Sequence, residues 1–335
     1  MSAATQPPRS RPHHRDLPLR VGTRGSPLAL IQTRSFLEVL RSFCPVLRDM
    51  NVFEEHPIRT TGDVVQDRRL TEIGGKGLFA KEIHEALLDR RIDFAVHSLK
   101  DLETELPAGI VLACTLRRED ARDVLILRER SDFPPPLEGG EVRNVFSCLP
   151  IGAVIGTASV RRQAQLLHVR PDLRIVTLRG NVQTRLDKLA NGAADATVLA
   201  AAGLRRLGIE HPASIMLDPD QMVPAAGQGI IAVTVRSDDA ELIELLGGIA
   251  DPESEAAASA ERAVLAALDG SCRTPIGAYA RLSGDGWLRL TGLAARPDGS
   301  FLLKRSLEGA AADARRIGAE LGAALRADSP ADLFA

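Results

Sequence analysis

The chain has 335 residues, enough for two or three domains at roughly 100–200 residues each. Its 42 basic and 44 acidic residues give a net charge of −2, which excludes a general polyanion-binding surface and leaves only local basic patches. No apolar run approaches the ~18 residues that a membrane-spanning helix needs. The 4 cysteines form no CxxC pair and no metal-ligand spacing, so we expect no metal, no disulfide scaffold and a reducing, cytoplasmic location.

Residues 1–16 are rich in proline, serine and arginine and lack the apolar stretch of a secretory signal. An organelle transit peptide would also be arginine-rich, but this segment is short and its prolines oppose an amphipathic helix. We therefore predict a disordered tail over residues 1–16.

From Leu17 the sequence alternates between short apolar strands and amphipathic helices. Ser26 followed by Pro27 is typical of a capped helix start. Such β/α alternation predicts a mostly parallel sheet. The predicted elements of this first part are strand 19–22, helix 27–40, a strand near 52, helix 78–90 after the glycine-rich loop 74–77, and strand 93–97.

Residues 131–150 are rich in proline, glycine and charge, which predicts a long surface loop. The β/α alternation then resumes, and the last third carries successive strands in an α+β pattern. The predicted elements are strands 153–155, 173–178, 196–199 and 230–235 with helices 160–168, 182–190 and 253–268, then strands 278–282, 287–293 and 302–307 with helix 311–325.

Arginines recur where predicted strands end and helices begin. Strand carboxyl ends line the ligand crevice of open α/β sheets, and helix N-termini there add free N–H groups. Guanidinium groups at such places suit several carboxylates or phosphates. Any single arginine also fits a solvated helix face, but the whole set favours an anion-binding cleft. The set consists of Arg24, Arg161, Arg162, Arg179, Arg185 and Arg206.

Nucleic acids and nucleotides are poor candidates for this anion. A nucleic-acid surface would carry aromatic side chains among the basic ones, but Tyr279 and Trp287 lie far along the chain from residues 161–188. The glycine-rich loop 74–77 lacks the spacing and the hydroxyl of a phosphate-binding loop. A ligand with several carboxylates is therefore favoured.

Two further positions could carry chemistry. Asp101, beside Lys100 at a strand end, could stabilise a cationic intermediate or exchange a proton with it, although a helix cap with a surface ion pair explains the same residues. Cys272 lies on a predicted turn beside Arg273, which favours a nucleophilic thiolate, although most lone cysteines are small buried hydrophobes. Spacing alone leaves these alternatives open.

Seven short motifs, in this order and from about Leu17 to the C-terminus, resemble the porphobilinogen deaminase (hydroxymethylbilane synthase) family. Thr61 and Ser271 depart from the usual pattern, standing where arginine and glycine are common, and Leu99 replaces a common methionine. The motifs are TRGSPLAL at 23–30, GGKGLF at 74–79, HSLKD at 97–101, GTASVRRQ at 156–163, LRGNV at 178–182, AGQG at 226–229, and Cys272 with PIG at 275–277.

The resemblance implies an α/β fold of two type II periplasmic-binding-protein-like lobes with a smaller α+β C-terminal domain. Domain 1 would cover residues 17–117 and 229–247, domain 2 would cover 121–224, and domain 3, which bears the cysteine, would cover 252–335.

The resemblance also implies a transferase that condenses four porphobilinogen molecules, with loss of ammonia, onto a dipyrromethane cofactor and then releases hydroxymethylbilane by hydrolysis. Cys272 would hold the cofactor through a thioether, Asp101 would be the catalytic carboxylate, and Lys76 and Phe79 would belong to a lid. The residues that would bind cofactor and substrate are Arg24, Ser26, Ser98, Lys100, Thr157, Ser159, Arg161, Arg162, Arg179, Arg185 and Arg206.

The family implies a monomer in tetrapyrrole and haem biosynthesis that passes its product to uroporphyrinogen-III synthase and binds neither nucleic acid nor membrane. One alternative is a two-lobed anion-binding receptor or regulator without chemistry, because a fold alone does not imply catalysis. Such a receptor has no need of a cysteine-bearing domain. A nucleic-acid-binding protein that uses residues 161–188 is a second alternative, and its binding would fall steeply with salt.

Overall fold

The computed structural model describes residues 17–48, 52–64, 77–129, 145–268 and 275–334. The predicted tail, Lys76, Cys272 and most of the predicted loop 131–150 lie outside these ranges. The strands of the described ranges are β1 (Leu19–Arg24), β2 (Phe53–Ile58), β3 (Phe94–Ser98), β4 (Ile110–Thr115), β5 (Asp123–Leu127), β6 (Val154–Gly156), β7 (Arg174–Val176), β8 (Ala196–Ala200), β9 (Ser214–Met216), β10 (Ile231–Arg236), β11 (Ile276–Leu282), β12 (Trp287–Ala295) and β13 (Leu302–Ala310).

Helices connect these strands, and short 3-10 turns include Leu99–Asp101 and Val145–Cys148. Each helix within the described ranges is too short or too polar to cross a bilayer. The α-helices of those ranges are α1 (Pro27–Phe43), α2 (Thr61–Val64), α3 (Lys81–Leu88), α4 (Val160–Val169), α5 (Val182–Ala190), α6 (Ala201–Arg206), α7 (Ala240–Gly247), α8 (Pro252–Ala267) and α9 (Ala314–Asp328).

Two sheets of the same design form two lobes. The first sheet has the strand order β2-β1-β3-β10-β4, and the second has the order β7-β6-β8-β5-β9. In each sheet the fourth strand, β10 or β5, runs antiparallel to both neighbours, whereas the pairs that involve β1 or β6 are parallel. The mostly parallel sheet is therefore confirmed for both lobes, with one reversed strand where the chain crosses between them.

A third unit pairs the antiparallel sheet β11-β12-β13 with helices α8 and α9. The two helices approach closely because small residues line their contact: a Cβ at Gly318 would lie 2.1 Å from the carbonyl oxygen of Ala260. Val264 and Leu321 are fully buried between the helices and the sheet. With the two lobes, this unit confirms the predicted fold class, while the residue boundaries of the three domains stay a prediction.

The lobe cores explain why these segments fold as they do. In the first lobe, Phe36 on α1 and Phe53 on β2 pack edge-to-face on Phe94 of β3, with ring centroids 5.8 and 6.2 Å apart. Ser26 caps α1 as predicted, since its Oγ accepts a hydrogen bond from the Ala29 amide at 3.3 Å. Phe146 is 1% exposed in the core of the second lobe.

Several predictions about local structure were wrong. Of the predicted surface loop 131–150, the described part begins with the 3-10 turn Val145–Cys148, which buries Phe146 in the core, so this part is not a surface loop. The helix predicted from residue 78 begins at Lys81, because residues 78–80 form a turn first. Strands β4, β5 and β9 and helix α7 were not predicted, since they are short and β5 is an unbroken apolar run rather than an alternating one.

Arg90 has a left-handed backbone, with φ of 56°, in the position that closes α3. The amides of Arg90 and Arg91 donate to the carbonyls of Leu87 and Ala86, the pattern of a Schellman motif in which glycine is the favoured residue. The Arg90 side chain pairs with Asp238 at 2.8 Å, and both partners are exposed. This ion pair therefore adds little stability.

We predict that the free energy of unfolding of Arg90→Gly is about 1 kcal/mol higher than that of Arg90→Ala. The reason is that glycine adopts this φ without strain and alanine does not. Both variants lose the ion pair, so their difference isolates the backbone. At the neighbouring Arg91, where φ is not left-handed, the order of glycine and alanine should be reversed. Urea-unfolding free energies of the four variants test this, and equal values at position 90 would contradict it.

Candidate active site

A cavity of about 720 Å³ lies between the two lobes, where the carboxyl ends of β1 and β3 face the N-terminal end of α5 and helix α6. Among its described lining residues, seven side chains are basic and two, Asp63 and Asp101, are acidic. The predicted site residues that line it are Arg24, Ser26, Phe79, Ser98, Lys100, Asp101, Arg162, Arg179, Arg185 and Arg206. This wall therefore carries a large excess of positive charge and suits a ligand with several carboxylates.

Three predicted site residues within the described ranges do not line this cavity. Arg161 is buried beneath it, and Thr157 is 4% exposed. The Ser159 hydroxyl caps α4 by accepting from the Arg162 amide. Ser26 has a similar capping role on α1 but also reaches the cavity.

Arg24, at the end of β1, organises the first-lobe side of the cavity. It forms a close ion pair with Asp63 and a longer one, 3.4 Å, with Asp101. Its guanidinium carbon lies 4.3 Å from the centre of the Phe79 ring, a cation–π contact. Burial acts to lower the pKa of Arg24, but the hydrogen bond to Asp63 and the charges of Asp101 and Asp63 raise it overall. Arg24 therefore stays charged.

Asp101 ends the 3-10 turn that follows β3, and its side chain is 30% exposed to the cavity. Lys100, its neighbour on the turn, is half-buried. Burial, helped by the charges of Arg162 and Arg161, lowers the pKa of Lys100 to about 8, although Asp101 and Asp123 oppose this. A bound carboxylate would restore the charge of Lys100, so this lysine is suited to binding an anion.

Arg161 and Arg162 are tied to Asp123, a fully buried carboxylate at the start of β5. Arg161 Nη2 donates to Asp123 Oδ2 at 2.9 Å, and Arg162 Nη2 donates to Oδ1 at 2.8 Å. Gln228 adds a third hydrogen bond at 2.8 Å. Burial alone would raise the pKa of Asp123, but the two arginines hold it well below its usual range. One buried anion thus fixes two neighbouring cations.

Three other cavity arginines, Arg179, Arg185 and Arg206, donate to backbone carbonyls. Arg179 Nη2 reaches across from the second lobe to the carbonyl of Gly62 at 3.2 Å. Arg206 Nη2 donates to Gly229 at 2.7 Å, where the chain returns to the first lobe. Burial and the charges of Arg162 and Arg179 lower the pKa of Arg185 to about 10. These guanidinium groups repel one another, so an anion between them would be stabilised.

Sequence reasoning missed several polar residues of this region, among them Gln32, Asp63, Asp123 and the seventh basic lining residue, Arg59. Gln32 is 3% exposed and accepts a hydrogen bond from the Ser98 hydroxyl at 3.0 Å. Asp63 follows β2, so the strand-end rule that selected the arginines could have found it. No pattern in the sequence marks Asp123, whose partners are 38 and 39 residues away. Within the described ranges no cluster of His, Cys, Asp and Glu could hold a metal ion.

Comparison with known proteins gives matches along nearly the whole chain. The porphobilinogen deaminase dipyrromethane cofactor binding domain model matches residues 19–244, and the porphobilinogen deaminase C-terminal domain model matches residues 255–327. A porphobilinogen deaminase from Paracoccus denitrificans is 49% identical over 317 residues, which cover 95% of this chain and 96% of that protein. The chloroplastic porphobilinogen deaminase of Oryza sativa is 45% identical over 291 residues, covering 87% and 78%.

Solved structures align more loosely. A Salmonella typhimurium periplasmic binding protein with high arginine specificity is 14% identical, with a TM-score of 0.37 over 71% of this chain and 93% of that chain. The fold class accordingly rests on the strand order described above. The two domain models and the close relatives agree with each other over both lobes and the third unit, and this chain belongs to the porphobilinogen deaminase family.

Proposed function

We propose that the chain is a hydroxymethylbilane synthase, a transferase that joins four porphobilinogen molecules head to tail. Each condensation forms one carbon–carbon bond from the aminomethyl carbon and releases ammonia, and water finally releases hydroxymethylbilane. The observation that carries this function is the family membership together with a cation-lined cavity between the lobes. A non-catalytic anion receptor is not favoured, because relatives that match over more than nine-tenths of the chain are named as porphobilinogen deaminases.

The cavity suits the dipyrromethane cofactor that gives the family model its name. Two linked pyrroles carry four carboxylates, and seven basic side chains line the cavity. We propose that Arg24, Arg162, Arg179, Arg185 and Arg206 hold these carboxylates, and that Lys100 binds a carboxylate of the incoming porphobilinogen. When bound, the cofactor supplies the pyrrole carbon that is extended.

We further propose Cys272 as the residue that holds the cofactor through a thioether. Cys272 lies outside the described residues, so its assignment rests on the family motif around it. The lid role of Phe79 and Lys76 stays a prediction, as do the binding roles of Thr157, Ser159 and Arg161.

Asp101 is the proposed catalytic carboxylate. Loss of ammonia leaves a cationic azafulvene, and a carboxylate on the cavity wall stabilises that positive charge. The same oxygen can take the proton that the attacking pyrrole ring must lose from its bond-forming carbon to become aromatic again. Arg24 forms a 3.4 Å ion pair with Asp101 and orients its carboxylate. Because 30% of the Asp101 side chain stays exposed, the carboxylate remains accessible to a substrate in the cavity.

The proposed setting is a cytoplasmic monomer whose product goes to uroporphyrinogen-III synthase. The cysteine pattern supports the cytoplasmic location, and the family resemblance supports the monomer. Hydroxymethylbilane carries a reactive hydroxymethyl group, so an enzyme that consumes it promptly would follow in the pathway.

Asp101→Asn should retain the cofactor and lose turnover by about 10²–10⁴-fold, because the amide neither stabilises a cation as well nor accepts the proton. Turnover is measured from the absorbance of porphyrin formed after acid oxidation, and cofactor from the intact mass. Asp238→Asn, an exposed aspartate distant from the cavity, is the matched control and should behave as the parent. Turnover of Asp101→Asn near that of the control would remove Asp101 from the mechanism.

The purified chain should be heavier than its sequence by two linked pyrrole units, and Cys272→Ser should lack this mass. Cys148→Ser, which alters a cysteine in the second lobe, should keep it. Intact-mass spectrometry distinguishes the three proteins. An active preparation with an unmodified mass would exclude a covalent cofactor.

The KM for porphobilinogen should rise as pH increases through about 8, because Lys100 then loses the charge that binds a carboxylate. The Lys100 ammonium is charged below this pKa and neutral above it, so the affinity for porphobilinogen falls as the pH rises past it. Lys100→Arg keeps its charge and should have a KM that is flat over the same pH range. Identical pH profiles for the parent and Lys100→Arg would show that Lys100 does not bind substrate.

A further inference from the structure

His84 and Glu103 together carry three buried polar atoms that have no hydrogen bond. His84, on α3, is 2% exposed, and its Nδ1 lies 3.7 Å from Glu103 Oε2. That distance is too long for a hydrogen bond. Within the described residues, neither ring nitrogen of His84 nor Oε2 of Glu103 has another partner. Native proteins seldom leave such atoms unpaired, so the pair calls for a functional reason.

The other side of the Glu103 carboxylate touches the turn that precedes α3. Gly77 has φ of +75°, and a Cβ there would lie 1.8 Å from Glu103 Oε1. The Gly77 carbonyl accepts hydrogen bonds from the amides of Ala80 and Lys81, both at 2.9 Å, so Gly77 fixes the start of the helix. Phe79, within this turn, stacks on Arg24 at the cavity wall. The carboxylate therefore lies between His84 and the turn that seats Phe79.

Charged and titratable groups face the pair from each neighbouring element. From β3, the His97 ring lies 5.7 Å from that of His84. From α8, Arg262 Nη2 donates to the carbonyls of Glu103 and Thr104, both at 2.7 Å, and holds this backbone in place. Burial, with the charges of His84 and Arg24, lowers the pKa of His97 to about 3, so His97 stays neutral when His84 titrates.

We propose that His84 and Glu103 are a pH-dependent positioning pair for residues 77–79. Protonation gives His84 a positive charge, which attracts the Glu103 carboxylate, closes the 3.7 Å separation to a charged hydrogen bond and draws the carboxylate away from Gly77. The His84 ring is held by its contact with the His97 ring, and Arg262 holds the Glu103 backbone. Of the two groups, the Glu103 side chain is therefore the one that moves. The turn then loses its support, and Phe79 is seated less firmly over Arg24.

The direction of the pH effect follows from the burial of His84. Burial lowers the pKa of His84, while the charge of Glu103 partly opposes this, so the ring is neutral at pH 7 and gains its proton on the acid side. The Gly77–Phe79 turn is accordingly supported at neutral pH and released as pH falls. The KM for porphobilinogen should rise on acidification, and this readout rests on the proposed function.

The test compares the parent with His84→Gln and Glu103→Gln between about pH 7.5 and about pH 5.5. In the parent, KM should rise about three- to tenfold and amide hydrogen exchange of residues 77–82, corrected for its intrinsic pH dependence, should speed up. Both variants should show less than about a twofold change in either quantity, because no charged hydrogen bond can form. His211→Gln, which alters a histidine of the second lobe, should keep the parent's pH dependence.

Retention of the parent's pH dependence in His84→Gln, or exchange at 77–82 that ignores pH in the parent, would overturn the proposal. If the variants fail to fold, NMR of the parent decides: the His84 and Phe79 ring signals should shift together with pH, and independent shifts would also overturn it. A protein that makes no hydroxymethylbilane at any pH would refute the proposed function. The hydrogen-exchange and NMR results would still test whether His84 and Glu103 position residues 77–79.

Discussion

Mutual repulsion among guanidinium groups is the constraint on which this structure depends. Seven basic side chains line one cavity with only two acids among the described residues of its wall, and like charges so confined oppose folding. Burial lowers the pKa of Arg185, and the charges of Arg162 and Arg179 lower it further, as this repulsion requires. Two carboxylates limit it without neutralising the site: Asp63 holds Arg24 on one lobe, and Asp123 holds Arg161 and Arg162 on the other.

The position of Asp123 explains why this repulsion does not pull the second lobe apart. Asp123 is fully buried at the start of the reversed strand β5, and three side chains donate to it. One of these donors, Gln228, comes from the return crossing toward the first lobe. Asp123, which holds Arg161 and Arg162, therefore also joins β5 to the segment around Gln228 that returns to the first lobe. Removing one member of such a buried charge cluster leaves another charge buried without a partner. The loss of stability is then far larger than the net stabilisation that the intact cluster provides.

The sequence predicted the parts of the site that follow from local patterns. Ser26 and Pro27 marked the start of α1, and the strand-end rule found Arg24, Arg179 and Arg206, because strand ends and helix starts are encoded by neighbouring residues. The same rule placed Arg161 in the cleft, whereas its side chain lies beneath the wall. Asp123, Gln32 and the contact of His84 with Glu103 could not be predicted, because each depends on which segments the fold brings together over long sequence distances.

Glu261 is a second buried carboxylate that joins separate segments of the chain, here at the third unit. This fully buried carboxylate of α8 accepts hydrogen bonds from Arg118 Nη1 at 2.6 Å, from the Gly227 amide at 2.6 Å and from the Ala280 amide at 2.7 Å. Arg118 lies on the outgoing crossing between the lobes, Gly227 on the returning one, and Ala280 on β11. Because one anion joins both crossings to the helix and sheet of the third unit, a change in the angle between the lobes must either move that unit or break these bonds.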